Sequence, residues 1–294
     1  MIVFGTAVVD GNLYDRTARP GIDRVREPDS LVLAHQSAGT LFRNYNLIME
    51  MAAKQDDLEA LVLLHQDAEI VDPSFCAKVR EALSDPDVAV VGCAGALGVR
   101  SIAWWEGAVT WASFTHRYTE LGGGQFDSYS FVPETTPSFA ETGQVDSIDG
   151  FIMVLSPWAV HNLAFDENLG KLHGYDFDIC CQAREAGKKV VTMDVKMIHH
   201  HSLDLISDPE TWIEAYVRLA EKWDERLPHA ADRDADWRTR ALRAEAAAAA
   251  AHGSAITHQL RFEALERHLQ HLHRSQSWRL TAPLRRLKAA FSRE

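Results

Sequence analysis

The sequence predicts an α/β protein in which a mostly parallel sheet is flanked by helices and followed by a helical extension. Three observations carry this. Short, unbroken apolar runs alternate with amphipathic segments up to residue 207, as buried parallel strands and their covering helices do. One such run, residues 61–64, stops abruptly at His65-Gln66-Asp67. Beyond residue 207 the chain becomes almost wholly helix-forming, which divides it into a domain over residues 1–207 and an extension over residues 208–294.

In chain order, residues 2–9 are a β-branched apolar run and read as the first strand. They lack the basic stretch and cleavage site of a leader peptide. Residues 30–34 (SLVLA) form the next strand, and residues 40–53 an amphipathic helix with Leu41, Tyr45, Ile48 and Met49 on one face. Residues 60–64 are a strand, residues 73–83 a helix, and residues 88–91 a strand. Residues 92–144 are rich in Gly, Ser, Thr and aromatics, including Trp104, Trp105 and Trp111, and their weak periodicity suits a binding loop or lid. Residues 148–155 read as one strand, residues 175–186 as a short helix ending at Gly187, and residues 189–194 as a strand leading to His199-His200-His201. The extension carries six alanines over residues 246–251 and apolar positions Ile256, Leu260, Leu265, Leu269 and Leu272.

Composition narrows the functions. The formal net charge is −12, from 30 basic and 42 acidic residues, which disfavours a nucleic-acid backbone as partner. A nucleotide remains compatible, because a divalent cation bridges carboxylates to phosphates. None of Cys76, Cys93, Cys180 and Cys181 forms a CxxC pair, and a vicinal disulfide between the last two would be strained, so a reducing, cytoplasmic setting is expected. No apolar run reaches the roughly 18 residues of a membrane span. The glycines at 92, 95 and 98 are spaced GxxGxxG rather than as a dinucleotide fingerprint.

Three clusters are chemically suggestive. Asp67 ends a buried strand, where ligands of open α/β sheets bind, and with Glu69 it offers oxygen ligands to Mg²⁺ or Mn²⁺; it would equally suit a polar cap on the next turn. Asp176 and Asp178 stand at the start of a helix, where the dipole alone favours acids, yet they point to different faces, which frees one to take a proton. The histidines 199–201 alternate sides in an extended segment, so His199 and His201, or His200 alone, face one site, unless the run is merely solvated. Trp104 and Trp105 suit either a sugar ring or the core.

Taken in order, the strand with LLHQD, then SIDGFIMVLSP, HGYDFDICCQAREAGKKVV and IHHHS, resemble family 2 glycosyltransferases of the GT-A fold. The likeness is to a bacterial branch in which an HxD-like signature stands where other members have DxD. The earlier AGTLFRNYNLIMEMAA is similar to the stretch that precedes that motif, and the resemblance covers residues 1–205.

The resemblance implies a GT-A-type domain and an inverting, metal-dependent transfer from a nucleotide-diphosphate sugar donor to the hydroxyl of a glycan or lipid-linked acceptor, in bacterial cell-surface polysaccharide synthesis. Asp176 would be the catalytic base, and Asp67 would hold the Mn²⁺ or Mg²⁺ and the diphosphate. His65, Gln66 and Asn46 would contact the donor, and one of His199, His200 and His201 would close the metal site. Asp149 and Gly150 would sit where donor sugar and acceptor meet, with Trp104, Trp105, Tyr175 and Asp178 as further sugar contacts. Tyr175 stands where the family has Glu, and His65 where it has the first Asp. Inversion suits the chemistry: a base takes the acceptor proton while the ion neutralises the departing diphosphate.

A non-catalytic nucleotide-sugar-binding or scaffold protein that kept this fold is the competing reading, prompted by His65 in place of an acid and opposed by the retention of Asp67 and Asp176. The C-terminal SQSWRLTAPLRRLKAAF is similar to a tail of bacterial polysaccharide glycosyltransferases. From Arg274 onward six basic side chains face one acid, which with Trp278, Leu280, Leu284, Leu287 and Phe291 suits peripheral contact with anionic lipid at the inner face of the cytoplasmic membrane. The apolar stripe of the extension suits packing on the first domain or on a second copy in a homo-oligomer.

Overall fold

The computed structural model describes residues 1–36, 39–99, 102–103, 109–118, 125–127, 143–200, 208–223, 226, 237–282 and 285. It contains two compact units, Met1–Ala231 and Asp232–Glu294. The first opens with β1 (Ile2–Val8), α1 (Gly11–Arg16), α2 (Ala18–Val25), β2 (Leu31–Gln36), α3 (Leu41–Ala52), β3 (Ala60–Leu64), β4 (Ala68–Ile70), α4 (Phe75–Ala82) and β5 (Val88–Gly92). Then follow β6 (Ala94–Leu97), β7 (Val109–Ala112), β8 (Phe114–Arg117), β9 (Gln125–Asp127), β10 (Gly143–Val145), β11 (Ser147–Ile148) and β12 (Ile152–Leu155). It closes with α5 (Pro157–Asn162), α6 (Tyr175–Glu185), β13 (Lys189–Thr192), β14 (Met197–His199) and α7 (Pro209–Trp223).

The main sheet has seven strands in the order β10-β13-β5-β12-β3-β1-β2. Strands β1, β2, β3, β5 and β13 run one way, while β12 and β10 oppose their neighbours. This is the mostly parallel sheet that the sequence predicts. Its centre is dry on both faces, as a continuous apolar run requires. In β3, Leu61 and Leu63 enter one core with Tyr45, Phe177 and Trp223, while Ala60, Val62 and Leu64 enter the other with Phe4 and Phe75. Two small sheets lie at the carboxyl end, β11-β6-β7 and β4-β14-β8-β9.

Three sequence readings change. Residues 148–155 are not one strand: Asp149 accepts the Phe151 N–H at 3.1 Å in a tight turn, so β11 joins a small sheet while β12 enters the main one. The region 92–144, read as a loop, contains β6 to β10, strands of three or four residues that are too short to leave a periodic trace. The first compact unit also extends past residue 207. Helix α7 packs Ala215, Leu219 and Trp223 into the core, and the Trp223 indole donates to buried Asp178 at 2.7 Å. Lys222 pairs with Asp178 at 2.8 Å and with Asp166 at 2.7 Å.

The second unit contains α8 (Trp237–Arg274) and α9 (Gln276–Leu280). On α8, Ile256, Leu260, Leu265, Leu269 and Leu272 are all exposed. Among the described residues no helix is long and apolar enough to cross a membrane, and the four cysteines are buried and free.

A fragment ending at residue 231 should melt cooperatively close to the first transition of the full chain. One ending at residue 207 should unfold or aggregate at 25 °C, because it strips a large core face and leaves the Asp178 charge buried without its lysine. Differential scanning calorimetry of the two fragments checks this, and equal melting temperatures would refute it.

Candidate functional site

The site begins where β3 ends. The His65 N–H donates to Phe151 O at 2.9 Å, and three residues later β4 starts, so the HQD link crosses the carboxyl edge of the main sheet. Strand β4 pairs antiparallel with β14, His199 opposite Ala68 and Ile198 opposite Glu69. The His200 N–H then donates to Asp67 O at 2.8 Å. This pairing sets two distant sequence motifs side by side.

Alternation along β14 sorts the histidines. His199 turns inward, buried, with Nε2 3.5 Å from Asp67 Oδ1 and its ring stacked on Phe151 at 4.5 Å. His200 turns the other way and meets Glu69 at 3.0 Å, so it is absent from the inner cluster. Glu69 also binds Arg24 at 3.2 Å, which takes it out of a ligand role. His201, Trp104 and Trp105 lie outside the described residues.

His65 joins the inner cluster instead. Its Nδ1 is 3.9 Å from Asp67 Oδ1 and its Nε2 is 2.6 Å from the Tyr175 hydroxyl. Ligand atoms of His65, Asp67 and His199 all lie within 4.8 Å of one another. Two imidazoles and a carboxylate are chemically fit to hold a divalent ion. Two nitrogens in three suit a first-row transition ion better than Mg²⁺, which prefers oxygen throughout.

Several expected donor contacts serve the scaffold. The Gln66 amide oxygen accepts the N–H groups of Val9 and Asp10, both at 2.9 Å, and shapes the turn after β1. Asn46 exchanges hydrogen bonds with the Phe165 backbone, at 2.8 and 2.9 Å, and so holds the chain before α6. Asp178, read as a sugar contact, is only 1% exposed and faces α7, where Trp223, Lys222 and Gln182 satisfy it. It cannot touch a substrate.

Asp149, Gly150 and Asp176 do come together. The Gly150 N–H donates to Asp176 Oδ2 at 3.0 Å, and the Phe177 N–H donates to Oδ1 at 2.9 Å. Position 150 must be glycine because a Cβ would overlap the Tyr175 ring. Half-buried, and with the Asp149 carboxylate nearby, the Asp176 carboxyl is pushed up to about 7, burial being the larger cause and the two N–H bonds opposing it. A carboxylate poised there is matched to proton transfer near neutral pH. Sequence reasoning missed Phe151, Phe114 and His116 around His199; the parallel register of β8 on β14, His116 opposite His199, brings the last of these there.

The chain matches the family model described as "Glycosyltransferase like family" over residues 16–213. It is 30% identical over 206 residues to the streptomycin biosynthesis protein StrF of Streptomyces griseus, covering 69% of this chain and 67% of that one. It is 28% identical over 184 residues to the O-antigen biosynthesis protein RfbC of Myxococcus xanthus, covering 58% of this chain but 13% of that one. Among solved structures it is similar to GalNAc-T7 with UDP, GalNAc and Mn²⁺, at 12% identity over 78% of this chain and 51% of that one, with a TM-score of 0.48. It is also similar to the mannosyltransferase PcManGT from Pyrobaculum calidifontis in complex with GDP-Man and Mn²⁺, at 16% identity over 85% and 79%, with a TM-score of 0.44. The chain therefore belongs to the family 2-like glycosyltransferases. It is a glycosyltransferase.

The Asp176 shift carries a stability signature. Its carboxyl is raised in the fold from 3.8 to about 7, so the native state binds the extra proton between those values. Its contribution is therefore complete below pH 4, shrinks as pH rises, and is gone above pH 7. Relative to wild type, metal-free Asp176→Asn should gain melting temperature from pH 5 to pH 8. A difference constant with pH, measured by calorimetry in EDTA, would refute the burial argument.

Proposed function

We propose that the chain transfers a sugar with inversion from a nucleotide-diphosphate donor to an acceptor hydroxyl, with a divalent ion held by His65, Asp67 and His199. The observation that carries this is the convergence of those three donors on the carboxyl edge of β3, linked through the 149–151 turn to a carboxylate whose affinity for protons is raised. Bound there, a divalent ion would neutralise the charge that grows on the leaving diphosphate. Everything else falls to the chain. Asp176 takes the acceptor proton, the 149–151 turn fixes Asp176 through the Gly150 N–H, and Phe151 and Phe114 exclude water beside His199. His65 in place of an acid supports this reading, because it adds a ligand where a degenerate site would lose one.

The relatives named for streptomycin and O-antigen synthesis support a role in assembling a bacterial glycoside or surface polysaccharide. We place the work at the inner face of the cytoplasmic membrane, on a lipid-linked acceptor. The basic tail would hold the protein there at about 1 kcal/mol per Lys or Arg, and the exposed apolar positions of α8 would pair copies.

Calorimetry with UDP, GDP and dTDP, each with Mn²⁺, tests the metal. One of them should bind the wild type and raise its melting temperature, more with Mn²⁺ than with Mg²⁺. Asp67→Asn and His199→Ala should lose that binding, whereas His200→Ala should keep it. Asp176→Asn should bind donor normally and transfer sugar about 10²–10⁴-fold more slowly. Ion-independent binding in Asp67→Asn would sink the assignment. For the tail, deletion from residue 274 should abolish sedimentation with anionic liposomes at low salt, and continued pelleting would rule out its anchoring role.

A further inference from the structure

Helix α8 has 38 residues and presents apolar side chains to solvent, but not along one stripe. Ile256 and Leu260 lie together on one side of it. At about 100° per residue, Phe262, Leu265, Leu269 and Leu272 gather on the opposite side, about 180° away. The positions read from the sequence as a single sticky face therefore divide between two faces, and only the second of these continues along the helix.

That second face keeps an alternation of three and four residues, the seam of a coiled coil. Phe262, Leu265, Leu269 and Leu272 fill its C-terminal half. The same rhythm runs back through His258 to Ala255, Ala251, Ala248, Ala244 and Ala241. All of these positions are exposed. The alanines alone would fit any face of the helix, so it is the four larger residues that fix the seam. Alanine lets two helix axes approach to about 8 Å. No Asp, Glu, Lys or Arg interrupts the seam over roughly four and a half heptads, a length that suits a supercoiled partner helix.

The charges beside the seam say which helix that partner is. Arg261 and Glu266 flank it on opposite sides, five residues apart, and neither has an opposite charge three or four positions away on its own helix. In a parallel pair of identical helices this spacing sets Arg261 of one copy beside Glu266 of the other, twice by symmetry. An antiparallel pair aligned so that leucines meet alanines would bring Arg261 against Arg261 instead. His258 is the one polar residue of the seam, and it meets its own counterpart only in a parallel pair in register. There the two imidazoles can share a hydrogen bond, whereas any shift sets each against an apolar side chain.

We propose that α8 forms a parallel, in-register coiled coil with α8 of a second copy, through the seam at 241–272, with Ile256 and Leu260 outside the contact. The inference rests on the reading of this helix as the element that pairs copies, and adds its face and its direction. Direction matters for the basic tail. A parallel pair sends both tails off the same end, so that one contact with an anionic surface uses the charge of two. An antiparallel pair would part them by up to about 57 Å, the length of 38 residues at 1.5 Å each.

The test uses the full-length protein carrying one added cysteine at a time, the four native thiols being buried. Under mild oxidation Ala251→Cys and Leu269→Cys should each give a disulfide-linked dimer on a non-reducing gel, and Ile256→Cys should not. Cross-linking of Ala251→Cys to Leu269→Cys in a mixture, with neither linking to itself, would show an antiparallel pair and overturn the inference. Equal cross-linking of Ile256→Cys would overturn the face assigned to it. By sedimentation equilibrium, Glu266→Arg should weaken the dimer about 10-fold, and adding Arg261→Glu should restore it. Failure of the double variant to recover removes the Arg261–Glu266 contact and the register with it. A wild type that scatters light as a monomer at the same concentration instead removes the pairing reading itself.

Discussion

The site depends on one stretch of main-chain pairing, β4 against β14. The two strands are three residues each, yet their register sets His199 opposite Ala68 and ties the His200 N–H to the Asp67 carbonyl. A slip of one residue would exchange the faces of His199 and His200 and send the wrong imidazole to Asp67. The outward-facing residues guard against it: Glu69 of β4 binds both His200, which follows β14, and Arg24 of α2. Polar contacts on the outer face of this pair thus fix the geometry of the inner cluster.

The start of α6 shows the same division of labour. Asp176 and Asp178 are two residues apart and about 200° apart around the helix axis. One accepts from Gly150 at the site, and the other accepts from Trp223 and Lys222 of α7 inside the core. Their surroundings separate them chemically. A charged lysine and two further donors compensate Asp178, whereas Asp176 has only backbone N–H groups and a neighbouring carboxylate. Burial is the largest cause raising both carboxyls, and the difference lies in what each can do with the proton.

The departures from the usual glycosyltransferase motifs form a matched set. An acid at position 65 beside an acid at position 175 would set two like charges within hydrogen-bonding distance; His65 and Tyr175 meet there through one hydrogen bond instead. The glycine at 150 belongs to the same set, because it makes room for the phenol.

Much of this was legible in the sequence. The unbroken apolar runs at 60–64 and 88–91 could only be buried strands, since nothing else hides that much apolar surface in so few residues, and both are strands. The stop at Asp67 marked the carboxyl edge of the sheet for the same reason. Local pattern could not reveal where a polar side chain spends its hydrogen bonds. Gln66 and Asn46 looked like ligand contacts and prove to be braces for backbone, while Asp178 is buried beneath a helix that lay beyond the expected boundary at 207. Nor could spacing choose among His199, His200 and His201, or admit His65 to the cluster, because a strand's face is decided by the neighbour it pairs with. The sequence determined which segments had to be buried, since burial follows from side-chain chemistry read locally. Only the tertiary structure decided which polar groups face one another, since that depends on registers between strands more than a hundred residues apart.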